Sequence, residues 1–168
     1  KKFFLNKKEK IQKIHVKAGY FLPYWRKNIN YQNSVSAKKK FGGGVVLELS
    51  HEISYIIWLF GKPKFVYAKL FKISDLKIDV EDSAFIILEY NKFVCSIELD
   101  LLSKSYDRFC KIDSNKNSYI WEYKKNSFIK NNKNSSNKLF HKKFNINQSY
   151  FDEIKYFMNS KNKYGKLL

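Results

Sequence analysis

The segment EDSAFIILEYNKFVCSIELDLLSKSYDRFCKI, residues Glu81–Ile112, decides the fold class of this chain. Within it, Ser83–Tyr90 is a continuous apolar run, which predicts a strand buried on both faces. Phe93–Leu101 alternates between apolar and polar residues, which predicts a half-exposed antiparallel strand. Asn91 and Lys92 between them are typical of a hairpin turn, although glycine is common where Lys92 stands. The two strands therefore follow one another without a helix between them.

The flanking sequence extends this pattern on both sides. Apolar, β-branched and aromatic residues predict four further strands, at Ile11–Leu22, Lys64–Ser74, Tyr106–Ile112 and Ser118–Tyr123. Helical spacing predicts two helices, at Val45–Phe60 and Gln148–Met158. Consecutive strands with few helices predict an α+β fold, a mostly antiparallel open sheet with helices packed on one face.

The helices and the loops lead to further predictions. Val45–Phe60 is apolar around most of its circumference, so we expect it to be buried, and we expect Gln148–Met158 to be a packing helix. The length of 168 residues fits a single domain, residues 1–168, with a mobile Lys/Asn/Ser-rich loop around residues 124–143 that holds a short strand.

Composition narrows the classes of function. The chain has no run of about 18 apolar residues, so no transmembrane helix is expected. The N-terminal sequence KKFFLNKKEK is too charged for a signal peptide, and Cys95 and Cys110 stand outside any metal-binding spacing. We therefore expect a cytoplasmic protein with two reduced cysteines, no metal site and no membrane partner.

The net charge of +18 raises the question of an anionic partner. Nearly all of the positive charge is lysine, and the only arginines are Arg26 and Arg108. Arginine makes the bidentate contacts that nucleic-acid recognition favours, so this composition argues against nucleic acid as a specific partner.

Residues Gly42–Gly61, GGGVVLELSHEISYIIWLFG, carry the clearest candidate site. A glycine triplet permits close approach of the backbone, and Glu48 and His51 share a face of a regular helix because they lie three residues apart. Two interpretations stand: a carboxylate–imidazole pair at a substrate-facing helix start, or a loop that enters a core helix with a solvated polar pair. The preceding loop, Tyr24–Lys40, is long and rich in aromatic residues, as functional loops often are.

Three segments in this order resemble the C-terminal domain of the Gfo/Idh/MocA family, the glucose–fructose oxidoreductase and inositol dehydrogenase type. The first, GYFLPYWRKNINYQNSVSAKKKFGGGVVLELSHEISYIIWLFG at Gly19–Gly61, is similar to the family's glycine-triplet, helix and histidine segment. The second, Glu81–Ile112, is similar to its paired sheet strands, and the third, Ser149–Ser160, is similar to its closing helix.

The resemblance implies a fold, a cofactor and a set of site residues. The fold is that of a glyceraldehyde-3-phosphate dehydrogenase-like C-terminal domain, and the parent enzyme moves hydride between NAD or NADP and a sugar or cyclitol carbon. His51 matches the catalytic histidine, a residue type suited to proton transfer near neutral pH, and Glu48 stands where the family usually has an aspartate. The residues expected to line the sugar pocket are Tyr20, Trp25, Arg26 and Tyr31.

The departures from the family pattern bear on function. The chain has no GxGxxG and no counterpart of the family's Glu-Lys-Pro segment with its catalytic lysine; both would lie N-terminal of Lys1. Ser54 and Lys92 replace a further aspartate and the turn glycine. We therefore expect the substrate-binding and oligomerisation domain of an NAD(P)-dependent sugar or cyclitol dehydrogenase, a fragment that binds no cofactor and is inactive alone.

Its expected partners are the sugar substrate, a Rossmann domain on another chain, and further copies that pair through the sheet face. Two other readings remain open. One is a non-enzymatic basic domain that binds nucleic acid or an anionic glycan, and the other is a scaffold that pairs with intact homologues through its sheet.

Overall fold

A computed structural model describes residues 9–141 and 146–159. Its strands are β1 (Ile11–Gly19), β2 (Phe65–Phe71), β3 (Ser83–Glu89), β4 (Val94–Asp100), β5 (Asp107–Ser114), β6 (Ser118–Glu122), β7 (Ser127–Asn131) and β8 (Ser136–His141). They form one open sheet in the order β2-β3-β4-β1-β5-β6-β7-β8. In the described part of the chain, β1 pairs with β4 in parallel and all other neighbours are antiparallel. The predicted α+β fold with a mostly antiparallel open sheet is confirmed.

The helices are α1 (Leu22–Trp25), α2 (Val45–Glu48), α3 (Ser50–Phe60) and α4 (Ile146–Asn159), and three short 3-10 turns lie between α1 and α2. The predicted helix Val45–Phe60 is therefore two helices. The break is at Leu49, whose φ of −107° and ψ of 23° depart from helical values. This break changes which side chains of the segment can meet.

The hydrophobic core lies between one face of the sheet and α2–α3. Directly paired residues of neighbouring strands point to the same side, so the register defines this face. The predicted alternation of β4 is confirmed, because Cys95, Ile97 and Leu99 are fully buried there while Ser96 and Glu98 lie on the other face. At the far end of α3, the ring of Phe60 meets Phe93 edge-on at 5.5 Å.

The second face of the sheet carries no helix among the described residues. Two predictions of complete burial, one for a strand and one for a helix, are wrong because each element has a surface that no other described element covers. Ser83–Tyr90 is not buried on both faces, since Phe85 and Ile87 are 49% and 44% exposed. The helix Val45–Phe60 is not buried all round, since Leu47 and Trp58 are 60% and 65% exposed. Apolar composition does not reveal whether a second surface is covered within the chain.

The C-terminal part of the described structure also differs from expectation. The described side chains of α4 are all exposed, so α4 is not the packing helix that its spacing predicted. Residues 124–143 hold two paired strands, β7 and β8, rather than one short strand in a loop. Residues 142 and 143 of that predicted loop, and residues 1–8 of the N-terminal segment, lie outside the described residues.

Candidate functional site

The glycine triplet is packed tightly against the chain's own backbone. A Cβ atom on Gly43 would meet the carbonyl oxygens of Val35, Ser36 and Lys38, and one on Gly44 would meet the carboxylate of Glu81. Gly44 also has a φ of +112°, which favours glycine. The triplet thus holds the 3-10 turns and α2 together, and it positions the side chains that follow it.

Glu48, at the end of α2, faces the end of β1. Ser36 donates a hydrogen bond from Oγ to Glu48 Oε2 at 2.8 Å. Tyr20 follows β1, is 4% exposed, and has a pKa raised first by burial and then by the charge of Glu48. The phenol of Tyr20 therefore stays protonated and can act only as a hydrogen-bond donor or acceptor near that carboxylate.

A stack of aromatic rings extends from Tyr20 across the mouth of the site. The ring of Tyr20 lies 4.3 Å from the ring of Trp25, measured between centroids, at an interplanar angle of 30°. Trp25 in turn lies 6.2 Å from Tyr106 at 21°. Trp25 is 46% exposed, so about half of its side chain is accessible to a ligand at the surface.

Beside this stack is a small cleft that contains three of the four predicted pocket residues. It is lined by Leu22, Trp25, Arg26, Ile29, Tyr31, Ser34 and Ser36. Arg26 is exposed, and its charge acts on the phenol of Tyr20. The hydroxyl of Tyr31 accepts a hydrogen bond from the backbone N–H of Lys77 at 3.3 Å, which ties the loop to the β2–β3 connection.

His51 lies at the start of α3 and pairs with Glu52. Its Nε2 atom is 3.3 Å from Glu52 Oε1, and about half of the imidazole is exposed. No ion pair joins His51 to Glu48 in the described structure, because the break at Leu49 removes the regular helical relation between the two. The predicted shared face of Glu48 and His51 therefore does not lead to an ion pair between them among the described residues.

Glu52 is fully buried and also pairs with Arg108 of β5. Arg108 Nε is 2.6 Å from Glu52 Oε1, and the guanidinium lies 4.7 Å from the ring of Tyr123. Burial lowers the pKa of Arg108, but Glu52 and Tyr106 outweigh it and raise that pKa above its ordinary value. Since a buried carboxylate is costly without a partner, this pair fixes α3 on β5.

Two neighbours complete the surroundings of Glu52 on the buried side. Burial raises the pKa of Tyr55, and Cys110 and Glu52 add to the effect. Burial likewise raises the pKa of Cys110 to about 12. Both groups are therefore neutral, so the carboxylate of Glu52 has Arg108 as its strong cationic partner in this region.

The two halves of the site are continuous. Tyr106 both stacks on Trp25 and interacts with Arg108, so the contacts lead from the aromatic stack to Glu52 and His51. Glu52 and Arg108 did not emerge as site residues from the sequence. One signal could have found them: an acid in an apolar helix needs a cationic partner, and only two arginines are present.

The glycine triplet does not fit the pyrophosphate of a dinucleotide. A pyrophosphate binds to free backbone N–H groups at a glycine-rich helix start. Here the N–H groups of Gly43 and Gly44 donate to Lys38 and Ser36, and that of Val45 donates to the carbonyl oxygen of Glu81. The Glu81 carboxylate also occupies the space beside Gly44 and would repel a phosphate.

Within 9–141 and 146–159, no group of three or more His, Cys, Asp and Glu side chains is arranged to hold a metal ion. Over these ranges, no helix combines the length and the apolar character needed to cross a membrane. Cys95 and Cys110 are free and buried.

Solved structures share this fold over most of the chain. UDP-N-acetylglucosamine 3-dehydrogenase GnnA from Acidithiobacillus ferrooxidans matches with a TM-score of 0.71 and 13% identity, covering 95% of this chain and 47% of that one. An inositol dehydrogenase homolog from Azotobacter vinelandii, complexed with NAD+, matches with a TM-score of 0.65 and 11% identity, covering 77% of this chain and 36% of that one. An oxidoreductase from Agrobacterium radiobacter, in complex with NAD+, L-tartaric acid and magnesium, matches with a TM-score of 0.60 and 13% identity, covering 76% and 37%. At these identities the likeness shows the fold alone, and the chain spans less than half the length of each of these proteins.

The sequence comparisons are more specific. No curated protein sequence matches the chain. The family model described as the GFO/IDH/MocA C-terminal domain matches residues 8–120, which is more than half of the chain and includes β1, the glycine triplet, α2–α3 and β2–β5. This chain therefore belongs to the Gfo/Idh/MocA family of oxidoreductases, of which it carries the C-terminal domain.

Proposed function

We propose that this chain is the substrate-binding and oligomerisation domain of an NAD(P)-dependent dehydrogenase that acts on a sugar or cyclitol. The observation that carries the proposal is the continuity of the site. The partly exposed indole of Trp25 is linked through Tyr106, Arg108 and Glu52 to the half-exposed imidazole of His51. A pyranose or cyclitol ring stacks on an aromatic face, and a nearby imidazole can take a hydroxyl proton.

Each residue has a distinct role in this proposal. Trp25 would stack on the ring of the substrate, and Arg26 would bind a carboxylate or phosphate on it. His51 would accept the proton of the hydroxyl group that is oxidised. Tyr20 and Tyr31 would shape the pocket, and Glu48, held by Ser36, would accept a hydrogen bond from a substrate hydroxyl.

The cofactor would be held by a Rossmann domain outside the described residues. The N–H groups of Gly43 and Gly44 support this, because they already donate hydrogen bonds to backbone carbonyl oxygens and are not free to bind a phosphate. The chain alone is accordingly expected to bind a substrate weakly and to give no turnover. Two of the structural relatives, from Azotobacter vinelandii and Agrobacterium radiobacter, were solved in complex with NAD+, which supports NAD as the cofactor of the parent class.

The uncovered sheet face is proposed to pair with a second copy. An apolar patch on this face contains Phe65, Tyr67, Phe85, Ile87 and Val94, each between 43% and 55% exposed. Such a contiguous apolar surface is typical of a protein–protein interface. Next to it, Lys17 and Glu98 form an ion pair at 3.2 Å, which gives the face a polar region beside the apolar one.

Ligand binding followed by NMR tests the proposal on the chain itself. Backbone amide signals would be recorded during titration with myo-inositol, UDP-N-acetylglucosamine and a sugar acid. We expect at least one of them to shift the signals of Trp25, Arg26 and His51 together, and Trp25→Ala to abolish these shifts. Trp58→Ala is the matched control, because Trp58 is an exposed tryptophan outside the aromatic stack.

Two outcomes would contradict the proposal. One is the absence of shifts at the site with every ligand at millimolar concentration. The other is tight binding of oligonucleotides that weakens steeply with salt, which would favour a basic binding domain instead.

A further inference from the structure

Glu52 differs from the other buried carboxylates in what it binds. Asp82 accepts hydrogen bonds from the backbone N–H groups of Ile73 and Ser74, and Asp100 accepts them from Leu102 and Ser103. These two aspartates organise loops. Glu52 has no backbone donor among the described residues, and its charged partners are a guanidinium and an imidazole, with the hydroxyl of Tyr55 also near it.

A single oxygen of Glu52 holds both partners. Oε1 lies 2.6 Å from Arg108 Nε and 3.3 Å from His51 Nε2. Arg108 is itself fixed by its contact with Tyr123 and by β5, and the carboxylate is fully buried. The oxygen that faces His51 is therefore anchored to the sheet, whereas the imidazole is half exposed.

This geometry selects one protonation form of the neutral imidazole. The 3.3 Å contact is an ion-pair contact and not an aligned hydrogen bond, because neither oxygen of Glu52 has a hydrogen-bond partner among the described residues. A lone pair on the ring nitrogen that faces the negative charge would be repelled, so that nitrogen is expected to carry the hydrogen. That nitrogen is Nε2, and Nδ1 then keeps its lone pair. No partner of Nδ1 is found in the part of the chain that the structure describes.

Glu48 cannot take this role in the observed arrangement. Its Oε2 accepts a hydrogen bond from Ser36, and its charge acts on Tyr20. The break at Leu49 separates α2 from α3, so Glu48 and His51 belong to two different helices. Glu52 is on the same helix as His51 and is the carboxylate that contacts it.

We propose that Glu52 is a positioning residue that holds His51 with hydrogen on Nε2, so that Nδ1 is the atom that accepts the substrate's hydroxyl proton. The proposal rests on the proposed role of His51 as the base. The proton passes from the substrate oxygen to Nδ1, which gives an imidazolium whose Nε2–H donates to the negative charge of Glu52. Arg108 keeps that charge in place throughout.

Imidazole proton–nitrogen NMR of the 15N-labelled chain tests the arrangement directly. The spectrum is simple because the chain has only three histidines, and His51→Asn assigns the signal. At a pH where the ring is neutral, we expect a protected Nε2–H and an unprotonated Nδ1. In Glu52→Gln, the neutral amide is a weaker acceptor, so Nε2–H should exchange with solvent about tenfold faster. In Glu48→Gln the exchange rate should not change, and the contact of His15 with Ser96 reports that the sheet is intact.

The outcomes separate this inference from the proposed function. A hydrogen on Nδ1 in the unmodified chain, or an unchanged exchange rate in Glu52→Gln, would overturn it. If Glu52→Gln fails to fold, Glu52→Asp keeps the charge near Arg108 but withdraws the oxygen from the ring, and the same acceleration is expected. If Nε2–H is protected as expected while the complete enzyme tolerates His51→Asn, the role of His51 fails but the positioning by Glu52 stands.

Discussion

Replacing Arg108 by methionine should destabilise the fold strongly, because it leaves the carboxylate of Glu52 buried without its main partner. At 2.6 Å, two opposite charges attract by about 6 kcal/mol at an effective dielectric constant of 20. Desolvation of both groups offsets part of this attraction. Breaking a buried pair from one side typically costs about 3–5 kcal/mol, and we expect a loss in that range. This is a large share of the ~5–15 kcal/mol by which most domains are stable.

Urea unfolding measured by circular dichroism and tryptophan fluorescence gives the free energy of unfolding. The double variant Glu52→Leu/Arg108→Met should lose much less than the sum of the two single variants, because it removes both charges and leaves neither unpaired. Lys17→Met is the matched control, since its ion pair with Glu98 is partly exposed, with the two side chains at 26% and 31%. That variant should lose less than about 1 kcal/mol.

The reasoning would be refuted if Arg108→Met were as mild as Lys17→Met. It would also be refuted if the double variant lost the full sum of the single losses, because the two charges would then be independent. An altered m-value in a single variant would indicate a change in the unfolded or native ensemble and would be compared with that of the double variant.

Three further predictions concern the glycine triplet, the buried carboxylate of Asp82, and the uncovered face of the sheet. Gly43→Ala should reduce the free energy of unfolding by about 2 kcal/mol or more, because the added Cβ meets three carbonyl oxygens. Gly42→Ala has open space around its Cβ, so it should reduce that free energy by only about 1 kcal/mol, through backbone strain at positive φ. Equal losses for the two variants in urea unfolding would contradict this reasoning. Burial opposes ionisation of Asp82, but hydrogen bonds from Ser74 and Ile73 outweigh it and hold its pKa below the ordinary 3.8. The ionised group therefore stabilises the fold above about pH 4, and that stability is lost as the pH falls through the lower folded pKa, so Asp82→Asn should flatten the acid limb of a stability–pH curve. Ile87→Lys, on the uncovered face, should weaken self-association in sedimentation velocity by about tenfold or more without reducing helix and strand content, and a monomeric unmodified chain at high concentration would refute the pairing.

Local patterns predicted the strands well where one face is covered. In β4 the alternation of Cys95, Ile97 and Leu99 with polar residues identified the buried face, because the period of a strand is two residues. In β3 the same reasoning failed for Phe85 and Ile87. Their apolar character marks a surface that is uncovered in this chain, and periodicity carries no information about a second copy or another domain.

The site was predictable in part for a similar reason. Spacing and resemblance singled out His51, and resemblance singled out the aromatic residues Tyr20, Trp25 and Tyr31; those choices remain predictions to be tested. The pairing of Glu52 with Arg108 joins residues far apart in the sequence, so no local spacing could show it. An unbroken helix places Glu48 and His51 on one face, but the break at Leu49 divides this segment into two helices, and spacing alone does not reveal such a break.

The central position of β1 governs how this domain can fold. β1 ends at Gly19, yet the strands on its two sides begin only at Val94 and Asp107. At a synthesis rate of about 5–20 residues per second, β4 and β5 are made on the order of ten seconds after β1. Closing such long loops is slow, so the domain is expected to fold late and cooperatively once β5 is available. Until then Ile14 and Val16, which are buried in the folded domain, lack their packing partners, so β1 is an unpaired apolar strand that favours aggregation during synthesis.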